Sequence, residues 1–284
     1  MMINSNSKEN YKFSVLMSIY YKENPAWFRI ALDSIINQTL QPNEIVLVED
    51  GKLTDELYQV IDEYKSKYPN LFNIVQLEKN SGLGEALRIG VLNCSNELIA
   101  RMDTDDISEP KRFEKQIKYM SEHPNIDVMG GWFSEFADNP ENITGIRKLP
   151  LKNDEIYKYG QFRCPMDHVT VIFKKQSVIN AGNYIQIGKI EDYYIWARML
   201  KQGYKFANIP ECLVNVRAGI GMLNRRSRLN YFLESELPLQ KELLKIGYIN
   251  FFQFLRNIIL KFLLRIIPMK AMGLIYQRFL RERN

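Results

Sequence analysis

Four apolar runs in the first hundred residues, separated by stretches with helical periodicity, restrict this chain more than any other feature. Residues 13–20, 44–48, 72–77 and the run beginning at Leu98 read as buried strands. Between them Trp27, Ile30, Ala31, Ser34 and Ile35 recur at helical spacing after Pro25, as do Leu57, Val60, Ile61 and Tyr64. A third helix is expected over residues 85–92. This alternation, with short links, predicts an α/β fold: a right-handed, mostly parallel sheet flanked by helices. Such sheets bind ligands beyond the carboxyl ends of their strands. Ser18 and Tyr20, Glu49 and Asp50, Gly82, and Asp103 with Asp105 are therefore expected along one edge.

The fourth run ends in Arg101-Met102-Asp103-Thr104-Asp105-Asp106, three carboxylates within four residues. Asp103 and Asp105, two apart on an extended chain, share a face. Convergent carboxylates make a hard-oxygen site suited to Mg²⁺ or Mn²⁺, completed by substrate phosphates and water. A helix cap needs one Asp, and three repel one another. An EF-hand fails because Ile107 and Ser108 stand where a ligand and the glycine belong, although Glu114 falls where the last ligand would be. Gly82-Leu83-Gly84 is not a dinucleotide fingerprint, since Leu87 occupies the third glycine position, and no G-x-x-x-x-G-K-[ST] loop occurs.

A second pair of carboxylates, Glu191-Asp192, opens a helical stretch. Asp192, Ile195, Trp196 and Met199 fall on one face, so Asp192 is expected to point inward, with Glu191 turned about 100° away. An inward carboxylate among apolar neighbours has a raised pKa, the condition for base catalysis. The alternative is a helix-terminal acid stabilised by the macrodipole.

Cys94, Cys164 and Cys212 lie far apart with no C-x-x-C, which argues against a disulfide framework or structural zinc and suits a reducing cytosol. Cys164 and His168 lack a cysteine-hydrolase context. Residues 1–12 are polar and have no signal-peptide core. The net charge of +5 is a tail of +7, nine Lys/Arg against two Glu from Lys241 onward, offset by −2 over the first 240 residues. That distribution argues against a general nucleic-acid surface. In the tail, residues 249–267 are the most hydrophobic stretch. Arg256, Lys261 and Arg265 fall in one half of the wheel with Gln253 and Asn257, while Phe251, Phe252, Leu255, Ile258, Ile259, Phe262, Leu263 and Ile266 fill most of the other. Three charges make spanning a bilayer costly, at about 2.5–3.5 kcal/mol each near its centre. A basic amphipathic helix on an anionic membrane surface is expected, ended by Pro268. The alternative is a helix packed on the catalytic domain or in a dimer seam, which would make a homodimer.

Val15 to Tyr20, Asn37-Gln38-Thr39, Val48-Glu49-Asp50-Gly51, Asn80-Ser81-Gly82 and Met102-Asp103-Thr104-Asp105-Asp106 closely resemble, in order and spacing, the family 2 glycosyltransferases of GT-A fold. The resemblance spans residues 12–230. It implies a nucleotide-sugar-binding half (1–115), an acceptor-binding and catalytic half (116–230) and a basic helical tail (231–284). In the donor site it implies that Asp50 accepts from the uracil N–H while Ser18 and Tyr20 line the base. Glu49 replaces the family's usual Asp. Gly82 and Arg88 lie near the base or pyrophosphate, and Asp103, with Thr104, contacts the ribose or sugar. Asp105, together with Asp103, ligates Mn²⁺ or Mg²⁺. Asp192 becomes the base and Glu191 its partner, with Trp132, His168 and Trp196 toward the acceptor. A loop over 137–153 is expected on the acceptor side. A basic segment with Arg217, Arg225, Arg226 and Arg228 around Gly219 and Gly221 is expected either to close over the diphosphate or to form a solvated surface run.

The implied activity is an inverting transfer of one hexose from a UDP-sugar of the glucose or galactose type. The acceptor is a saccharide, GlcNAc or GalNAc on polyprenyl diphosphate, and the product is a β-glycoside in O-antigen or capsule synthesis. The implied location is the inner face of the cytoplasmic membrane. The Q-x-x-R-W of processive synthases is absent. The competing readings are a sugar nucleotidyltransferase, which would consume a nucleoside triphosphate, and a non-catalytic membrane scaffold binding a divalent cation.

Overall fold

A computed structural model describes residues 12–218 and 229–266. In chain order the elements are β1 (Phe13–Ile19), α1 (Pro25–Ile36), β2 (Glu44–Glu49), α2 (Asp55–Lys67), β3 (Phe72–Gln76), α3 (Leu83–Asn93), β4 (Leu98–Arg101), β5 (Ile107–Ser108), α4 (Arg112–Glu122), β6 (Val128–Phe136), β7 (Ile143–Arg147), α5 (Asn153–Gly160), β8 (Ile172–Lys174), α6 (Lys175–Asn180), α7 (Glu191–Lys201) and β9 (Phe206–Arg217). A π turn at Phe232–Glu236 leads into α8 (Leu237–Lys245), and α9 (Phe251–Ile266) follows. The described strands form one nine-stranded sheet in the order β3-β2-β1-β4-β8-β6-β9-β5, with β7 paired to β6. The β3-β2-β1-β4 part is wholly parallel, as the alternation predicts.

The pleat divides the core. Val15, Met17, Ile19, Ile45 and Leu47 face a layer built by α1, α2 and α4. Leu16, Val46, Val48 and Ile99 face α3, α7 and the C-terminal helices. Period-two alternation within continuously apolar strands is what two buried faces require. Helix starts are set locally: Asn24 accepts from the Ala26 and Trp27 N–H groups ahead of Pro25, and Thr54 caps α2 through the Leu57 N–H. On α3, Gly90 lets the helix lie against the sheet, since a Cβ there would stand 2.4 Å from Leu16 Cδ1.

The structure departs from the sequence expectations, or adds to them, in three places. The segment over 137–153 contains β7, which pairs antiparallel with β6 from Ile143 opposite Phe136 to Arg147 opposite Phe133. β9 is a twelve-residue strand despite Pro210, because its register against β6 skips from Ile209 to Cys212 and carries Pro210 and Glu211 out of the ladder. The third departure is in the tail. The face of α9 that packs on the domain is the one carrying Gln253, Asn257, Lys261 and Arg265, together with half-buried Phe254, Ile258 and Leu264. Asn257 is fully buried between the Gln161 carbonyl and Gln240, while Lys261 and Arg265 both reach Glu236. Phe251, Phe252, Leu255, Ile259, Leu260, Phe262 and Leu263 are left exposed. Among the described residues no helix is long and apolar enough to cross a membrane.

Candidate active site

The carboxyl ends of the four parallel strands meet around one cavity of about 240 Å³. Its walls are Ser18, Tyr20 and Glu23 after β1, Asp50 after β2, Asn80, Gly82 and Leu83 before and at the start of α3, and Asp103, Thr104 and Asp105 after β4. The sequence-predicted residues Ser18, Tyr20, Asp50, Gly82, Asp103, Thr104 and Asp105 are thus brought together. Asp50 also braces the cavity. Its Oδ1 accepts from the Ser81 N–H at 2.6 Å and its Oδ2 from the Gly82 N–H at 3.0 Å. Each oxygen keeps a second lone pair for a ligand. Gly51 permits this approach: it sits at φ +83°, and a Cβ would lie 2.6 Å from the Asn80 nitrogen.

Two expected members are elsewhere. Glu49, one residue earlier on the strand, points to the opposite face, where it accepts from Gln76 and burial pushes its carboxyl up. Arg88 lies one turn along α3, paired with Glu85 through both Nε and Nη2 at 2.7 Å.

Asp103, Asp105 and Asp106 hold carboxylate oxygens within 4.8 Å of one another. Burial, then the charge of Asp103, pushes Asp105 up to about 6, and burial with the same crowding drives Asp106 well above the usual carboxylate range. Three crowded hard-oxygen donors of like charge fit a divalent cation. Arg217 ties the turn down. Its backbone N–H donates to Asp106 Oδ1 at 2.8 Å and its Nε to the Asp105 carbonyl at 3.3 Å, and the guanidinium lies 4.5 Å from the Trp27 ring centroid and 4.7 Å from that of Phe136. The other residues of the expected basic loop, Gly219, Gly221, Arg225, Arg226 and Arg228, lie outside the described residues.

Sequence reasoning missed Arg101. It is 1% exposed, on a strand otherwise made of Leu98, Ile99 and Ala100, and it pairs with Asp103. A lone cation in a buried strand is the signal that was available, because arginine is almost never buried without a partner. Its charge reaches both His168 and Glu191 and so links the donor edge to α7.

On α7 the expected orientations are reversed. Glu191 is the buried member, 4% exposed, and Asp192 is half-buried. Tyr193 to Leu200 are all buried, so no solvent face along this stretch defines which way is inward. Burial, then the charge of Asp192, raises Glu191 to about 7, and its Oε2 has no hydrogen-bond partner among the described residues. The Cys164 thiol donates to Asp192 Oδ2 at 3.5 Å.

Of the acceptor candidates, Trp196 is corrected. It is fully buried among His168, Phe173, Tyr184 and Phe206 and presents nothing to a ligand. His168 is half-buried, 3.0 Å from the Tyr184 hydroxyl, and burial holds its pKa well below the ordinary value, so the ring is neutral. Trp132 is half-buried and donates its indole N–H to the Leu149 carbonyl at 3.0 Å.

The family profile described as Glycosyl transferase family 2 matches residues 14–184. The amylovoran biosynthesis glycosyltransferase AmsE of Erwinia amylovora is 39% identical over 94% of this chain and 98% of its own length. The UDP-Gal:alpha-D-GlcNAc-diphosphoundecaprenol beta-1,3-galactosyltransferase of Escherichia coli is 36% identical over 97% and 99%. Among solved structures, the mannosyltransferase PcManGT of Pyrobaculum calidifontis, in complex with GDP-Man and Mn²⁺, superposes with a TM-score of 0.64 at 15% identity, covering 92% of this chain and 72% of that one. At that identity the likeness is one of fold.

Proposed function

This chain belongs to glycosyl transferase family 2, and from that premise we propose that it moves one hexose from a UDP-sugar to GlcNAc or GalNAc carried on polyprenyl diphosphate, with inversion. The observation that carries the reading is the meeting of Asp50, Asp103 and Asp105 in one cavity, with Arg101 pairing Asp103 and its charge reaching Glu191 on α7. The galactosyltransferase relative, named for a UDP-sugar and a lipid-diphosphate acceptor, supports the substrate classes.

In this mechanism Asp50 accepts from the base and Ser18 and Tyr20 pack beside it. Asp103 and Asp105, with Asp106 behind them, would hold Mg²⁺ or Mn²⁺, which when bound supplies charge stabilisation to the departing diphosphate. Arg101 keeps Asp103 aimed at the cavity. Asp192, the more accessible member of its pair, takes the proton from the acceptor hydroxyl, since reach precedes pKa in choosing a base. The oxygen attacks the anomeric carbon opposite the diphosphate, so an α-linked donor gives a β-glycoside. Buried Glu191, near neutrality, sets the field around Asp192. Residues 1–115 serve the donor, 116–230 the acceptor, and 231–284 hold the enzyme at the inner face of the cytoplasmic membrane.

The test is donor screening by UDP release with a synthetic lipid-diphosphate GlcNAc or GalNAc acceptor. Acceptor-dependent UDP release from UDP-galactose or UDP-glucose is expected. Consumption of a nucleoside triphosphate with diphosphate release would instead identify a nucleotidyltransferase.

A further inference from the structure

We propose that α9 docks on a lipid bilayer through its outward apolar arc, and that apolar insertion, not attraction between basic residues and anionic lipid, supplies the binding. This rests on the membrane location proposed above and specifies its surface and driving force.

At 100° per residue, the exposed side chains of α9 occupy about half the wheel. Phe251, Phe252, Leu255, Ile259, Phe262 and Leu263 fill that half, and Arg256 is its one polar member. The opposite half is fastened to the domain. Arg265 makes two bonds to Glu236, Nε to Oε2 at 3.0 Å and Nη2 to Oε1 at 2.8 Å, and Lys261 stands 3.6 Å from the same carboxylate. Asn257 Nδ2 donates at 2.8 Å to both the Gln161 carbonyl and Gln240 Oε1. Gln253 Nε2 donates to Gln161 Oε1 at 2.9 Å. These bonds fix the rotation of the helix, so the apolar arc cannot turn inward without leaving Glu236 and Gln240 buried and unpaired.

A helix on a water-soluble surface shows the reverse arrangement, and a contiguous apolar patch marks an interaction surface. The width of the arc selects the occupant. A partner helix covers a narrow seam, so a second copy would leave the flanks of a half-wheel arc wet. A bilayer interface covers the whole arc, to a depth of roughly 5–10 Å. The charges agree: α9 has no acidic residue, Lys261 and Arg265 are committed to Glu236, and the Arg256 guanidinium turns back to Asn257 Oδ1 and the Phe162 ring, so no basic group of the arc is aimed outward.

The experiment is flotation of the full-length protein with vesicles of pure phosphatidylcholine, and of phosphatidylcholine with phosphatidylglycerol, at low and high NaCl. We expect flotation with the neutral vesicles, retained at high salt. The double substitution Phe252→Asp, Ile259→Asp should lower the partition coefficient by roughly tenfold or more on both vesicles, with the melting temperature and UDP release to a short-chain acceptor unchanged. Flotation only with anionic vesicles and reversed by salt overturns the apolar mechanism while leaving membrane location standing. Absence of flotation by the unsubstituted protein overturns both, and UDP release by the same preparation shows whether sugar transfer survives. A wild-type dimer in light scattering that the double variant dissociates, without vesicle binding, identifies a second copy as the occupant. A lower melting temperature in the variant, also without vesicle binding, identifies cover by the protein's own chain. Either result overturns the proposal.

Discussion

Asp105 sits where function and stability pull apart. Its raised pKa means that the folded, cation-free protein carries an ionised group it disfavours near neutral pH. Asp105→Asn is therefore expected to raise the melting temperature in EDTA while lowering transfer by roughly 10³-fold, the worth of several kcal/mol of charge stabilisation. Mn²⁺ should raise the wild-type melting temperature and leave the variant's unmoved, measured by thermal melts beside UDP release. Glu191 gives a second pH signature. Its pKa rises from 4.5 in the open chain to about 7 on folding, so the folded state holds the proton more tightly. Stability from this group is present below pH 4.5 and falls as pH rises through 7. Glu191→Gln should flatten that fall and gain a few degrees in melting temperature at pH 8 relative to pH 5, followed by melts across pH. Legibility at this scale followed strand polarity. Asp50, Asp103 and Asp105 are legible because they follow the carboxyl ends of β2 and β4. Glu49 is not, because adjacent strand residues face opposite ways, nor is Trp196, because the indole lies in a run, Tyr193 to Leu200, that is buried on every side.

Elements were legible where one periodicity held. The first four strands and their helices were placed by alternation and caps. β7 and β9 were not: a short hairpin arm inside polar sequence and a strand interrupted by Pro210 both defeat a window-based reading. Contact between α3 and the sheet is testable through Gly90. Ala there puts a methyl 2.4 Å from Leu16 Cδ1 and 2.9 Å from Val48 Cγ2. Gly90→Ala should cost about 1–3 kcal/mol, outweighing the gain in helix propensity, read as a lower melting midpoint in denaturant. The tail shows the limit of a wheel. It separates the two halves of α9 apart from Arg256, which falls on the exposed side, and Ile258, which is half-buried; which half faces protein depends on Glu236 and Gln240, whose positions only the tertiary structure supplies.

At the scale of the molecule, the donor-side strands and the strands β6, β8 and β9 belong to one continuous hydrogen-bonded sheet. No seam between the two sequence halves is free to hinge among the described residues. UDP with Mn²⁺ should therefore leave the radius of gyration from small-angle scattering unchanged while slowing amide exchange in the connections after β1, β3 and β4. A shift of several ångströms would mean that the halves move as separate bodies. The continuous sheet also separates two kinds of inheritance. Its interior is a shared foundation that tolerates little revision, whereas each connection above the strand ends is an independent fitting. A new sugar preference or a new acceptor can be acquired by rewriting one such connection, with the foundation beneath left as it was.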